Sequence, residues 1–121
     1  MNILIFGLGS IGQKHIALLK EIKINFKFYV FRKFKKKYNY KEKEFTFIND
    51  FQELKKISFF FLIISTPSAT HFDIINKVRN LNIPMFIEKP LFSSNKQINE
   101  FDSKKLPLNY VACNFRFNSL I

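Results

Sequence analysis

Gly7-Leu8-Gly9-Ser10-Ile11-Gly12 holds all three glycines of this 121-residue chain. At that spacing, between a strand and a helix, glycines suit the binding of a dinucleotide. Gly7 permits a tight turn, Gly9 lets the backbone approach a pyrophosphate, and Gly12 lets the helix pack close to the strand. The helix start then offers unpaired N–H groups and the positive end of its dipole to phosphate oxygens. Further polar groups follow at intervals: Arg32, Ser65-Thr66-Pro67, Glu88-Lys89-Pro90, and Asn114 with Arg116. Taken singly, each has a plainer reading. Pro67 and Pro90 can end strands, Ser68 can cap a helix, and Arg116 can be a surface charge.

What joins these groups is the order of elements. Residues 3–6 form an apolar run that reads as a buried parallel strand. Ile11, His15, Leu18, Leu19 and Ile22 recur at helical spacing after it, predicting a helix with that face inward. Residues 26–31 and 45–48 read as a second and third strand. Asp50 and Glu53 resemble a capping box opening a short helix with Phe51 and Leu54 inside. Residues 59–64 are a continuous β-favouring run, as for a central strand covered on both faces. Ser68 is the expected cap of a helix carrying Phe72, Ile75, Val78 and Leu81. A fifth strand covers 83–88. Ser94 and Gln97 open another helix, with Ile98 and Phe101 inside, and a sixth strand covers 109–113. Alternating β and α units with short turns predict an α/β fold: one domain over 1–121, with a doubly wound parallel sheet of about six strands. In such a sheet ligands bind at the carboxyl ends of the strands, where every polar group named above falls.

Composition narrows the partners. The formal net charge is +11, which raises nucleic acid or an anionic membrane as partners. Yet seven cations against Glu42 between Arg32 and Lys43 place more than half of that excess in one stretch. A solvated loop is the plainer account of such a run, and no nucleic-acid motif accompanies it. Cys113 is the only cysteine, so no internal disulfide forms and a reducing, cytoplasmic setting is expected. It sits in an apolar stretch and reads as a small core residue. The longest apolar run is too short to span a bilayer as a helix, and the N-terminus lacks the basic segment of a signal peptide. No membrane partner and no metal site are expected.

Gly7 to His15, Ser65-Thr66-Pro67 with His71, Glu88-Lys89-Pro90-Leu91 and Asn114-Phe115-Arg116-Phe117 together resemble the signposts of the Gfo/Idh/MocA oxidoreductases. The resemblance covers essentially the whole chain, and Glu-Lys-Pro in its strand context is its most specific part. It implies an N-terminal Rossmann domain that binds NAD or NADP. By the resemblance, Gly7, Leu8, Gly9, Ser10, Ile11 and Gly12 hold the pyrophosphate. Ser65, Thr66 and Pro67 lie along the ribose and adenine side, with His71 near the same cleft. Glu88 contacts the nicotinamide ribose, and Lys89 reaches a sugar or sugar-like substrate. A lysine held there can polarise a hydroxyl or carbonyl oxygen and assist proton movement during hydride transfer. For His15 and His71, a hydrogen-bonded histidine near a helix start is as good a reading as direct ligand contact.

Two departures from the family pattern stand out. An NAD site places Asp or Glu about twenty residues past the last glycine. Here Arg32 occupies that position, followed by Lys33, which predicts a preference for NADP over NAD. Family members also continue into an α/β substrate domain supplying an Asp-x-x-x-His pair, and that domain is expected to be absent here. The expected function is therefore the dinucleotide-binding part of an oxidoreductase, truncated or split and inactive alone, with a separate substrate-domain chain as its natural partner. The alternative is a stand-alone nucleotide-binding module without catalysis. A third reading, a basic nucleic-acid-binding protein, has only the charge in its favour.

Overall fold

The computed structural model describes residues 1–32 and 44–113. Most of the lysine-rich stretch, including Lys33 and Lys35, and the segment with Asn114, Phe115, Arg116 and Phe117 lie outside the described residues.

Six strands form one parallel sheet: β1 (Asn2–Phe6), β2 (Lys27–Phe31), β3 (Phe45–Ile48), β4 (Phe61–Ile64), β5 (Met85–Ile87) and β6 (Asn109–Val111). Their order is β3-β2-β1-β4-β5-β6, so the winding reverses between β1 and β4. Register runs from Ile3 opposite Phe61 to Phe6 opposite Ile64 across that switch. The helices are α1 (Ser10–Glu21), α2 (Phe51–Leu54), α3 (His71–Val78) and α4 (Asn95–Glu100). This is the Rossmann-like doubly wound arrangement the alternating pattern predicts.

Side chains alternate between faces along each strand, and the two faces are filled differently. Leu4, Phe6, Leu62, Ile64, Met85 and Ile87 meet Leu54 of α2 and Ile75 and Val78 of α3 in the larger core. Ile3, Ile5, Phe28 and Ile63 meet Ile16 of α1 on the other side, with Leu19 packed against them. Central β4 is buried on both faces, as a continuous apolar run requires.

Several local expectations shift. The inward face of α1 carries Gly12 and Ile16, whereas Ile11, Leu18 and Ile22 are 46%, 50% and 48% exposed. The close approach at Gly12 sets this rotation: a Cβ there would overlap the Gly7 carbonyl oxygen and lie 2.8 Å from Ser65 Oγ. Glycine contributes nothing to an apolar count, so the stripe drawn from large residues falls to one side. β4 begins at Phe61 and not at Phe59, because pairing with β1 begins at Ile3. The Asp50 carboxylate caps the Gln52 amide at 2.9 Å, without the reciprocal Glu53 bond of a capping box.

Ser68 begins a 3-10 turn (Ser68–Thr70) that runs into α3, and it caps nothing. Asn82, left-handed at φ 53°, closes the turn that follows α3. Ser94 caps α4 through the Gln97 amide, but Ile98 points outward. Phe101 anchors that short helix instead, with its ring 4.7 Å from Phe92. Cys113 is exposed, because pairing of the β6 segment with β5 ends at the Ala112 amide, bonded to the Ile87 carbonyl at 2.8 Å.

Candidate functional site

At the switch point, β1 ends in Phe6 and the chain turns at Gly7 with φ +93°, a conformation that disfavours any side chain. A Cβ on Gly7 would sit 2.7 Å from the backbone of Ser65. The turn and the end of β4 are therefore pressed together, and Ser65 fastens them: its amide donates to Phe6 O at 2.8 Å. Its hydroxyl lies 2.8 Å from Gly7 O.

Gly9 is different in kind. It is the N-cap of α1, in extended conformation, and a Cβ built on it meets nothing within 4 Å. Steric need inside the fold does not explain this glycine, whereas it explains Gly7 and Gly12. The space a Cβ would fill lies at the start of a twelve-residue helix with no side-chain cap and no acidic residue in its first turn. The amides of Ser10, Ile11 and Gly12 precede the first intrahelical bond, which Gln13 N makes to Gly9 O at 3.0 Å. Unfilled donors, the positive end of a dipole and an open cradle fit a pyrophosphate. Leu8 is half-buried against the α1-side core, so it reaches that cradle with its backbone.

Around this cradle the other strand ends gather. Arg32 directly follows β2, its amide bonded to Ile48 O at 2.8 Å. Its guanidinium lies over the Phe47 ring, 4.5 Å from the centroid. After β4, the Thr66 and Thr70 hydroxyls are 2.8 Å apart. Thr70 donates to the Pro67 carbonyl at 2.8 Å, so Thr66 must be the donor in their pair. Pro67 is exposed beside them. After β5, the Glu88 amide extends the ladder to Ile64 O at 2.9 Å. The Lys89–Pro90 peptide bond is cis. Lys89 is exposed, and among the described residues its ammonium has no hydrogen-bond or ion-pair partner.

Two histidines hold this edge. His15 reaches from α1 to Glu88, with Nε2 to Oε1 at 2.6 Å, and its ring stands edge-on to Phe86 at 5.1 Å. The pair joins the first helix after the glycine turn to the end of β5 across 73 positions of sequence. No local pattern announces it. His71 is 1% exposed, and both of its ring nitrogens meet main-chain carbonyl oxygens, of Thr66 and Leu91. It is enclosed beneath the cleft and presents no nitrogen to it.

Two surface clefts of about 440 Å3 and 400 Å3 lie elsewhere, one by Lys20 and Glu44 and one between α2 and α3. Neither includes a strand-end polar residue. The site is marked by its donors and its open cradle, not by enclosed volume. No helix among the described residues is long and apolar enough to cross a membrane.

Comparison with known proteins agrees with this geometry. The family model GFO_IDH_MocA, described as the oxidoreductase family with an NAD-binding Rossmann fold, matches residues 1–104. A search of curated proteins finds no match. Among solved structures, one described as a probable dehydrogenase from Thermotoga maritima is 24% identical with a TM-score of 0.76. The match covers 98% of this chain and 38% of that one. The WlbA (WbpB) dehydrogenase from Thermus thermophilus, in complex with NAD and alpha-ketoglutarate, is 17% identical with a TM-score of 0.73, over 96% and 42% of the two chains. The WlbA dehydrogenase from Chromobacterium violaceum, in complex with NADH and UDP-GlcNAcA, is 14% identical with a TM-score of 0.73, over 98% and 36%. The chain thus spans roughly two fifths or less of the length of these solved relatives.

Proposed function

We propose, for a chain that belongs to the Gfo/Idh/MocA oxidoreductases and has their NAD-binding Rossmann fold, that it presents a nicotinamide dinucleotide to a sugar or sugar-like substrate. The observation that carries this reading is Gly9: a glycine with nothing near its missing side chain, at an uncapped helix start. In this reading the Ser10, Ile11 and Gly12 amides and the Leu8–Gly9 backbone hold the pyrophosphate. Ser65, Thr66 and Pro67 border the adenosine ribose and adenine. Glu88 gives one carboxylate oxygen to His15 and keeps the other to accept from the nicotinamide ribose.

Arg32 stands where a carboxylate would repel a 2′-phosphate, which supports NADP over NAD. The Phe47 ring, 4.5 Å from the guanidinium carbon, restrains that side chain by a cation–π contact. Lys89 is the chemical residue. Its ammonium, unpaired among the described residues, holds a substrate oxygen and shares its proton as that oxygen changes between hydroxyl and carbonyl. A bound nicotinamide ring supplies hydride acceptance or donation. The wall opposite Lys89, with its acid–base pair, comes from a substrate domain outside these 121 residues, on a partner chain or a further stretch of polypeptide. The setting is cytoplasmic, in keeping with a lone cysteine. UDP-GlcNAcA in the Chromobacterium violaceum relative supports the sugar-type substrate class.

Calorimetric titration with NAD(H) and NADP(H) tests the reading. Binding of one dinucleotide per chain, tighter for the phosphorylated form, is expected. If neither binds the folded protein at millimolar concentration, the site assignment is wrong.

A further inference from the structure

Among the described residues His71 is the one buried polar side chain, 1% exposed, and its surroundings ask for more than one proton. Nε2 lies 2.8 Å from the Thr66 carbonyl oxygen and Nδ1 lies 3.1 Å from the Leu91 carbonyl oxygen. Carbonyl oxygens only accept. A neutral imidazole has one N–H, so it bonds one carbonyl and turns a lone pair toward the other. Only the ring protonated on both nitrogens satisfies both contacts, and a charge at a buried site needs each of its donors met.

The two carbonyls belong to the two loops that matter. Thr66 lies in the turn after β4, and Leu91 in the turn after β5 that carries Glu88 and Lys89. The β4–β5 ladder ends with the Glu88 amide on Ile64 O. Beyond that bond, His71 makes the only polar links between the two turns among the described residues. The turn after β4 is held a second time, by Ser65 on Gly7 O. The turn carrying Lys89 is held to it through His71.

We propose that His71 is a positioning residue: a doubly protonated clamp that fixes the turn carrying Glu88 and Lys89 against the turn carrying Thr66, so that both ends of a dinucleotide are met together. This rests on the dinucleotide reading of the cleft. It assigns His71 no contact with the ligand, in place of the cleft-side contact that family resemblance implies.

The test begins with the wild-type chain. Nitrogen-15 NMR of the His71 ring at neutral pH should show an N–H at both positions, each coupled across a hydrogen bond. A ring with a single N–H overturns the clamp whatever the chain binds. His71→Phe, which keeps the ring volume and removes both bonds, is then titrated with NADH and with ADP, which reaches only the glycine turn and the Thr66 side. NADH should weaken at least tenfold while ADP stays within twofold. Equal loss of both ligands would mean general damage, and no loss of either would mean an idle histidine; each outcome refutes the proposal. Wild-type protein that binds neither ligand refutes the dinucleotide reading instead. The ring spectrum then decides the clamp alone, and a variant that fails to fold leaves it to the same measurement.

Discussion

Gly9→Thr separates binding from folding at the residue on which the site assignment depends. The Gly9 backbone, φ −73° and ψ −170°, is one any L-residue adopts, and a Cβ there meets nothing within 4 Å. Threonine and glycine are near equals at a helix N-cap, so unfolding free energy should change by no more than about 0.5 kcal/mol. The branched side chain would occupy the cradle over the Ser10, Ile11 and Gly12 amides. Losing two charge-assisted bonds to phosphate, each worth about 1.5–3 kcal/mol, removes at least ~3 kcal/mol of binding, more than a hundredfold. Urea melts followed by tyrosine fluorescence give the first quantity and calorimetry with NADH or NADPH gives the second. A variant that folds normally and binds like wild type would refute the argument that open space at Gly9 is a ligand's space.

The same reasoning gives opposite results nearby. Gly12→Ala should cost at least about 1–3 kcal/mol of stability, since its Cβ would overlap the Gly7 carbonyl; an unchanged urea midpoint contradicts that packing. Ile75→Ala, at a fully buried position, should lose about 2–5 kcal/mol in the same melt. Arg32→Asp should lower the NADP-to-NAD affinity ratio at least tenfold, the worth of a charge-assisted phosphate contact of about 1.5–3 kcal/mol; an unaltered ratio sinks the preference. The 121-residue chain should give no sustained cofactor absorbance change with sugars, inositols or nucleotide sugars, because holding substrate in attack geometry supplies on the order of 7–11 kcal/mol of such a barrier. Turnover abolished by Lys89→Ala would show instead that one wall suffices.

The architecture was legible because it is written in short-range signals. Apolar runs at 3–6 and 59–64, the glycine turn between them and the caps at Asp50 and Ser94 place the main elements to within about two residues. The strand-end rule then gathers Arg32, Ser65, Thr66, Glu88 and Lys89 along one edge. What escaped depends on distance in sequence or on space. The inward face of α1 is set by how close Gly12 must come to Gly7, a contact without an apolar signature. Cys113 looked like core by its neighbours, but the edge strand β6 ends before it. His15 and Glu88, 73 positions apart, carry no mutual signal. His71 read equally as a ligand contact or as a hydrogen-bonded histidine near a helix start. It is the latter, opening α3, and its carbonyl partners at Thr66 and Leu91 were beyond what sequence spacing names.

Backbone NMR of the labelled chain during an NADPH titration tests the central claim most directly, since it locates the ligand as well as detecting it. The account predicts saturable shifts in the amides of Gly9, Ser10, Ile11 and Gly12, with smaller shifts at Arg32, Thr66 and Glu88. Asn2, Lys27 and Met85, at the opposite ends of their strands, should stay still. Shifts confined to that opposite edge, or none in a folded chain with ligand in large excess, would contradict it.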